Sequence, residues 1–434
     1  MRTYSEFVSK ALFFVSLVVF CVAYGVVAKK LEWFPSPQMR RAWNQAEFLL
    51  GIGSPASTWS RIYEREGVKI SLPNKVQPGL TVAAFNYEAG VREPKIRLVD
   101  KKGNVLHSWS INRSAIFPKN ERGLDRSEVH GSVMKKNGNI IFSTDYLGLV
   151  KMNSCGKVVW KSGKKTHHSV HEGRDGIFWV PGVYNREAKK VENEKYKHLS
   201  KSLKEDTILK FNKKGKIKKK IKLIEVLFKN GLDRAIAKAR LLSHHDPTHL
   251  NDIEPLPSSL ANEYPMFAAG DLLISMRNLD LVMVLDPDSL NVRWHAYKPF
   301  IGQHDPDFTG GGWIGVFDNN RDGTERGTML GGSRIVSIRP HTDSMRVRFP
   351  TRYSDPFYTK IQGKWQDLEN GNMLLAETRA GRVVEVDSNG RTVWELVEPG
   401  SSITKATRVD LTREQVASWP CSSVDSVDVS NANQ

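Results

Sequence analysis

One pattern returns six times along the chain, and it restricts the fold more than any other feature. Each copy has alternating apolar residues, a tight turn, and a second short run that often ends in Trp. The clear copies are KIRLVDKKGNVLHSW from Lys95, LVKMNSCGKVVW from Leu149, ILKFNKKGKIKKK from Ile208 and LVMVLDPDSLNVRW from Leu281. Weaker or later ones are RIVSIRPHTDSMRVRF from Arg334 and RVVEVDSNGRTVW from Arg382. The turn-opening residues Asp100, Asn153, Asn212, Asp286, Arg339 and Asp387 are separated by 53, 59, 74, 53 and 48 residues. Period-2 runs joined by Gly- or Ser-containing turns read as β-hairpins. Several copies carry an earlier strand as well: 137–142, 176–180, 271–275, 313–317 and 370–376. Six units of about 50 residues, each with several strands, predict an all-β, six-bladed β-propeller. A pair of large β-sandwiches is the competing fold. The longest spacing holds a helix-like insertion, 224–242, which a propeller carries on a loop.

The remaining segments divide the 434 residues into an N-terminal segment 1–30, a connector 31–80, the propeller 81–400 and an extension 401–434. From Ala11 to Ala28 no residue is charged, and Lys10 and Lys29-Lys30 flank the run. That length is near what a hydrocarbon core of about 30 Å requires, so a transmembrane anchor is expected, with a secretory signal as the alternative. The propeller would then lie outside the cytoplasm, in the periplasm if the source is bacterial. Helix-like 38–50 lies in the connector, and the tail 420–434 reads as disordered. Three cysteines make no disulfide framework, although Cys155 and Cys421 would pair if the C-terminal segment folds back.

Net charge is +17, concentrated in 211–222, where seven of twelve residues are Lys. A solvated outer strand explains this, and contact with anionic lipid headgroups is the functional alternative. No nucleic-acid-binding module accompanies the charge, so no nucleic-acid partner is expected. No GxxxxGK[ST] motif occurs, and the Gly-rich 309–317 opens a strand rather than a helix, so no nucleotide cofactor is expected.

Polar residues gather just upstream of the earlier strands: His130, His167, His168, His249, His304 and Trp365. In a propeller, such positions of different blades meet at one mouth of the axial channel. A lone histidine before a strand is ordinary structure, whereas several converging on one mouth form a candidate site. Arg277, just after DLLIS, adds a cation suited to two anionic oxygens at once. Trp313, Trp365 and Phe308 are aromatic residues near the mouth, each read either as ordinary core or as a ring able to stack on a bound aromatic group.

The segments HHS, HLNDIEPL, LLISMRNLDLVMVLD and QHDPDF, each in its own blade, resemble the arylsulfotransferase family of bacterial six-bladed propellers. The resemblance covers roughly residues 80 to 400. It implies transfer of a sulfuryl group from an aryl sulfate to a phenol, without a nucleotide donor, by ping-pong through a sulfurylated histidine. Carried over by motif, His304 is the nucleophile, while His249 and Arg277 bind the sulfate and stabilise its charge. One His of the HH pair is the fourth catalytic member; the match does not decide between the two, and His168 is favoured. His167, His130, Trp365 and Phe308 are then expected to line the substrate site. No cofactor or metal is implied, and a homo-oligomer is compatible with the sequence. Two other readings stand beside this one. The first is a non-catalytic propeller serving as a binding or assembly module. The second is a metal held on the axis by histidines, with Asp252 or Asp305 nearby.

Overall fold

The computed structural model describes residues 2–31, 63–86, 93–118, 127–185, 204–242 and 246–421. The expected connector helix 38–50 and all but the first two residues of the tail 420–434 lie outside them. The chain divides into two compact units, 1–58 and 59–434.

In the first unit, helix α1 spans Arg2–Leu31, and its described side chains over 12–27 are exposed. Among the described residues no helix is long and apolar enough to cross a membrane, which corrects the expected transmembrane anchor. At 1.5 Å per residue, the uncharged run from Ala11 to Ala28 rises about 27 Å, a little short of the roughly 30 Å hydrocarbon core.

In the second unit, β1 (Gly67–Ile70) precedes the repeats. Blade 1 contains β2 (Leu80–Phe85), β3 (Lys95–Val99) and β4 (Val105–Ser110); blade 2 contains β5 (Val129–Met134), β6 (Ile140–Thr144), β7 (Gly148–Met152) and β8 (Val158–Ser162). Blade 3 has β9 (His171–Glu172), β10 (Phe178–Asn185), β11 (Lys204–Phe211) and β12 (Ile217–Lys222). Blade 4 has β13 (Leu250–Pro255), β14 (Leu272–Met276), β15 (Leu281–Leu285) and β16 (Val292–Ala296). Blade 5 has β17 (His304–Phe308), β18 (Ile314–Asp318), β19 (Arg334–Arg339) and β20 (Ser344–Phe349). Blade 6 has β21 (Lys364–Asp367), β22 (Met373–Glu377), β23 (Arg382–Val386) and β24 (Thr392–Val397).

The last strand, β25 (Ile403–Val409), pairs antiparallel with β2, from Leu80↔Val409 to Phe85↔Ile403, and is the inner strand of blade 1. The inner strands β25, β5, β9, β13, β17 and β21 each contact the next, and β21 returns to β25. The molecule is therefore a six-bladed β-propeller closed by its own C-terminal strand. Two expected boundaries move in consequence. The ring runs past residue 400, and β1, within the expected connector, adds a fifth strand to blade 6 beside β24.

Local chemistry explains the repeat. In five blades the turn-opening Asp or Asn accepts backbone N–H bonds through Oδ1 in the turn between the third and fourth strands. Asp100 takes Lys102 N (2.8 Å) and Asn104 N (3.0 Å), and Asp387 takes Asn389 N and Arg391 N (both 3.0 Å). Trp residues of the outer strands then join blades. Trp109 Nε1 donates to Asn153 O, Trp160 Nε1 to Lys213 O and Trp394 Nε1 to Lys101 O, each a carbonyl in the neighbouring blade's turn.

Apolar residues form six buried clusters, one at each interface between blades. Alternate residues of one strand serve opposite interfaces. Leu272, Ile274 and Met276 of β14 pack toward blade 3, and Leu273 packs toward blade 5. The expected insertion is a pair of helices, α2 (Leu223–Lys229) and α3 (Asp233–Leu242), divided at Asn230 and at Gly231, whose φ is +69°.

Candidate active site at the channel mouth

Antiparallel pairing sets the start of each inner strand beside the end of the second strand: Leu250↔Met276, His304↔Phe317 and Val129↔Thr144. Segments leading into inner strands therefore share one end of the ring with turns leaving second strands. Arg277 N donates to His249 O (3.1 Å), so two residues 28 apart in sequence are adjacent, and 256–270 loops out at the opposite end.

His304, the first residue of β17, is 3% exposed. Its Nδ1 faces two acceptors, Asn319 Oδ1 at 2.7 Å and Gly302 O at 3.1 Å, and therefore carries the proton. Asn319 is itself locked, because its Nδ2 donates to Thr359 O (2.8 Å) and Gln362 O (2.7 Å). The His304 Nε2 lone pair is buried with no hydrogen-bond partner. Desolvation, and then the nearby Arg277 charge, hold His304 well below the usual imidazole pKa. A neutral imidazole with a bare, fixed Nε2 is a nucleophile in its reactive form.

His249 Nδ1 sits 2.6 Å from Asp246 Oδ2 and so is also protonated. Burial and Arg277 bring its pKa down to about 4. A neutral His249 leaves the fixed positive charge beside it to another residue. Arg277 supplies it. Burial, with Arg321 nearby, lowers its pKa only to about 10, and among the described residues no carboxylate lies within ion-pair distance. Its Nε donates to Asn278 Oδ1 at 3.2 Å.

His168 lies edge-to-face with His249 (5.1 Å between ring centres) and stacks on His130 (4.8 Å, 5° between planes). Burial, and then the company of His130, His167, His249 and His304, pushes its pKa well down. Burial would also lower His130, but an Asp145 carboxylate 2.5 Å from its Nδ1 outweighs that and raises it. His167 is fully buried behind His168, so it does not reach substrate; its Nδ1 is 2.8 Å from His168 Nδ1.

Two expected substrate contacts are absent from the mouth. Trp365 donates through N and Nε1 to Asp305 Oδ2 and O (both 2.8 Å) and packs with Phe317 and Leu375 between blades 5 and 6. Phe308 packs edge-to-face on Tyr264 (5.0 Å) between blades 4 and 5. Both rings turn into blade interfaces because alternate strand residues face opposite ways, and Lys364, one residue earlier, takes the axial position.

The aromatic ring that the structure does place at the mouth is Tyr146, in the turn after β6. It is 40% exposed, stacks on His167 at 5.4 Å, and its hydroxyl accepts from Lys204 Nζ (2.9 Å). Its φ of +59° is uncommon for a bulky side chain and marks a constrained turn. Sequence reasoning does not reach Asn319, Asp145, Asp246 or Tyr146. The shared position after second strands that already exposed Arg277 was the signal that could have found Asp145, which follows β6 as Arg277 follows β14.

Deeper in the channel, Lys364 Nζ bonds Asp252 Oδ1 (2.7 Å) and Asp305 Oδ1 (2.5 Å). Those carboxylates and His171 form the one group with metal-ligand spacing among the described residues, within 4.8 Å of one another. The ammonium of Lys364 already lies between the two carboxylates and offsets one of their two negative charges. The mouth histidines do not share that cluster.

A family model described as Arylsulfotransferase (ASST) matches residues 131–399, which include His168, His249, Arg277 and His304. The chain belongs to the arylsulfotransferase (ASST) family. Among curated proteins no relative matches it. A crystal structure of a Bacteroides caccae protein of unknown function is similar at 14% identity and a TM-score of 0.51, covering 77% of this chain and 100% of that one. A streptogramin B lyase structure is similar at 11% identity and a TM-score of 0.39, over 82% of this chain and 91% of the other. The first shows the propeller fold alone. Family membership supports aryl sulfotransferase chemistry at the level of the family, with aryl sulfates and phenols as the substrate class.

Proposed function

We propose that this protein moves a sulfuryl group from an aryl sulfate to a phenol by ping-pong, through a covalent sulfohistidine on His304. The observation that carries the reading is the His304 tautomer: Nδ1–H is fixed by Asn319, and Nε2 is bare and buried. In the first half-reaction Nε2 attacks sulfur, the S–O bond to the aryl group breaks, and the aryl oxygen leaves as a phenolate. In the second, an acceptor phenol oxygen attacks the sulfur and restores His304. Arg277, which has no carboxylate within ion-pair distance among the described residues, is available for the sulfuryl oxygens. The ester's negative charge, added to that of Asp246, favours the imidazolium of His249, whose Nε2–H then donates to a sulfuryl oxygen. Tyr146 offers its exposed ring to the aryl group.

Within this reading the domain works outside the cytoplasm. The Cys155–Cys421 disulfide supports that placement, since such bonds persist in oxidising compartments. The uncharged run from Ala11 to Ala28 serves as an export signal.

His304→Asn tests the assignment, because Asn keeps a polar side chain of moderate size without a nucleophilic ring nitrogen. Phenol release from nitrophenyl sulfate should fall by at least about 10³-fold in that variant. Turnover near the parent level would remove His304 as the nucleophile.

A further inference from the structure

The mouth contains a second histidine arrangement with the opposite polarity. His167 Nδ1 and His168 Nδ1 face each other at 2.8 Å, so one proton lies between them. Behind, His167 Nε2 faces Asp206 Oδ1 at 3.4 Å, and neither atom has another hydrogen-bond partner. Asp206 is fully buried, and its other oxygen is held by Thr248 Oγ1 (2.6 Å) and Leu250 N (2.7 Å). His167 is sealed from solvent while His168 keeps 7% exposure, on the side shared with His249. The three groups make a line from the protein interior to the mouth.

We propose that Asp206, His167 and His168 form a proton relay that supplies the departing phenolate and recovers the same proton from the arriving phenol. The proposal rests on the transfer reading given above. In the loaded state the Asp206 carboxylate faces His167 Nε2–H, His167 Nδ1–H donates to His168 Nδ1, and His168 Nε2–H faces the leaving oxygen. As the S–O bond breaks, the Nε2 proton of His168 passes to the phenolate. The shared proton then moves from His167 Nδ1 to His168 Nδ1. His167 is left neutral with Nε2–H still on Asp206, and His168 Nε2 is bare. When the acceptor attacks, its hydroxyl proton goes to His168 Nε2, the shared proton returns to His167, and the starting state is restored. No external acid or base is consumed. His168 is the catalytic acid and base, and His167 and Asp206 are positioning residues that set its tautomer.

The neighbours favour this direction. Four other histidines and burial keep His168 from holding a net positive charge, so it passes a proton on rather than storing it. Asp206, although buried, is kept ionised by His167 and Lys204. Lys204 is tied to Asp246 and Tyr146, and the other faces of the His pair carry His130 with Asp145 and His249 with Asp246.

The test separates proton delivery from structural support by leaving-group chemistry. Nitrophenolate departs readily without a proton, whereas phenolate needs one. In His167→Gln and in Asp206→Asn, kcat/KM should fall about threefold with nitrophenyl sulfate and about a hundredfold with phenyl sulfate, within the range typical of general acid catalysis. Equal losses with both donors would assign the pair a structural role and overturn the relay. A measurement on the unaltered protein covers the case in which neither variant folds. Across a series of aryl sulfates, chemistry-limited rates should depend weakly on the phenol pKa, and a steep dependence of roughly tenfold per unit would contradict proton donation. Absence of transfer from every donor by the unaltered protein would instead refute the transfer reading itself.

Discussion

At the scale of single residues, the site works by fixing which nitrogen of each histidine bears hydrogen. Asn319 accepts from His304 Nδ1 and Asp246 from His249 Nδ1, which leaves both Nε2 atoms as lone pairs until the ester's charge brings a proton to that of His249. Asn319→Leu removes the acceptor while keeping most of the volume, so the ring loses its preferred tautomer. Transfer should drop about 10²-fold with folding intact by circular dichroism. Burial also ties the histidines to stability. Burial and then Arg277 lower His249 from 6.5 to about 4, so between those pH values the unfolded chain binds a proton that the folded one refuses. His249 alone then removes about 3 kcal/mol as pH falls from above 6.5 to 4. His168 and His304 act in the same direction, and the raised pKa of His130 acts in the opposite one. The thermal midpoint should fall across this window, and His249→Gln should flatten the fall.

At the scale of elements, the turns after second strands carry as much chemistry as the segments before the inner strands. Sequence reading found the latter because histidines stand out ahead of period-2 runs. It found only Arg277 among the former, because Asp145, Tyr146 and Asn319 are ordinary turn residues when taken singly. Of the two readings open for Trp365 and Phe308, core and substrate contact, the structure places both rings in the core, for a geometric reason. Neighbouring residues in a strand point to opposite faces, so an aromatic one step from an axial residue is in a blade interface. The repeat itself was legible because its Asp or Asn must accept turn N–H groups and its Trp must bridge blades. Tyr146 is the test of the turn set. Tyr146→Ala should raise KM for aryl donors about tenfold, with a smaller change in kcat, as expected for losing stacking worth about 1 kcal/mol or slightly more.

At the scale of the whole molecule, a ring brings residues from four blades to one mouth and closes through β25 on β2. Beyond that closure, Thr412 caps helix α4 (Arg413–Ala417) and Trp419 Nε1 donates to Lys136 O in blade 2. The Cys155–Cys421 disulfide then ties the C-terminal segment to blade 2 across 266 residues. Cys155→Ser should lower unfolding free energy by about 2–4 kcal/mol in denaturant titrations, with little change in transfer rate. The pairing was visible in the sequence only as an option, because nothing local reports that the C-terminal segment folds back.

The most direct test of the central claim is the intact mass of the full protein after brief exposure to nitrophenyl sulfate without acceptor. The account predicts a gain of about 80 Da, one SO3 group, mapping to His304 and lost when a phenol is added. Steady phenol release with no adduct on His304, under conditions that preserve an N–S bond, would contradict it.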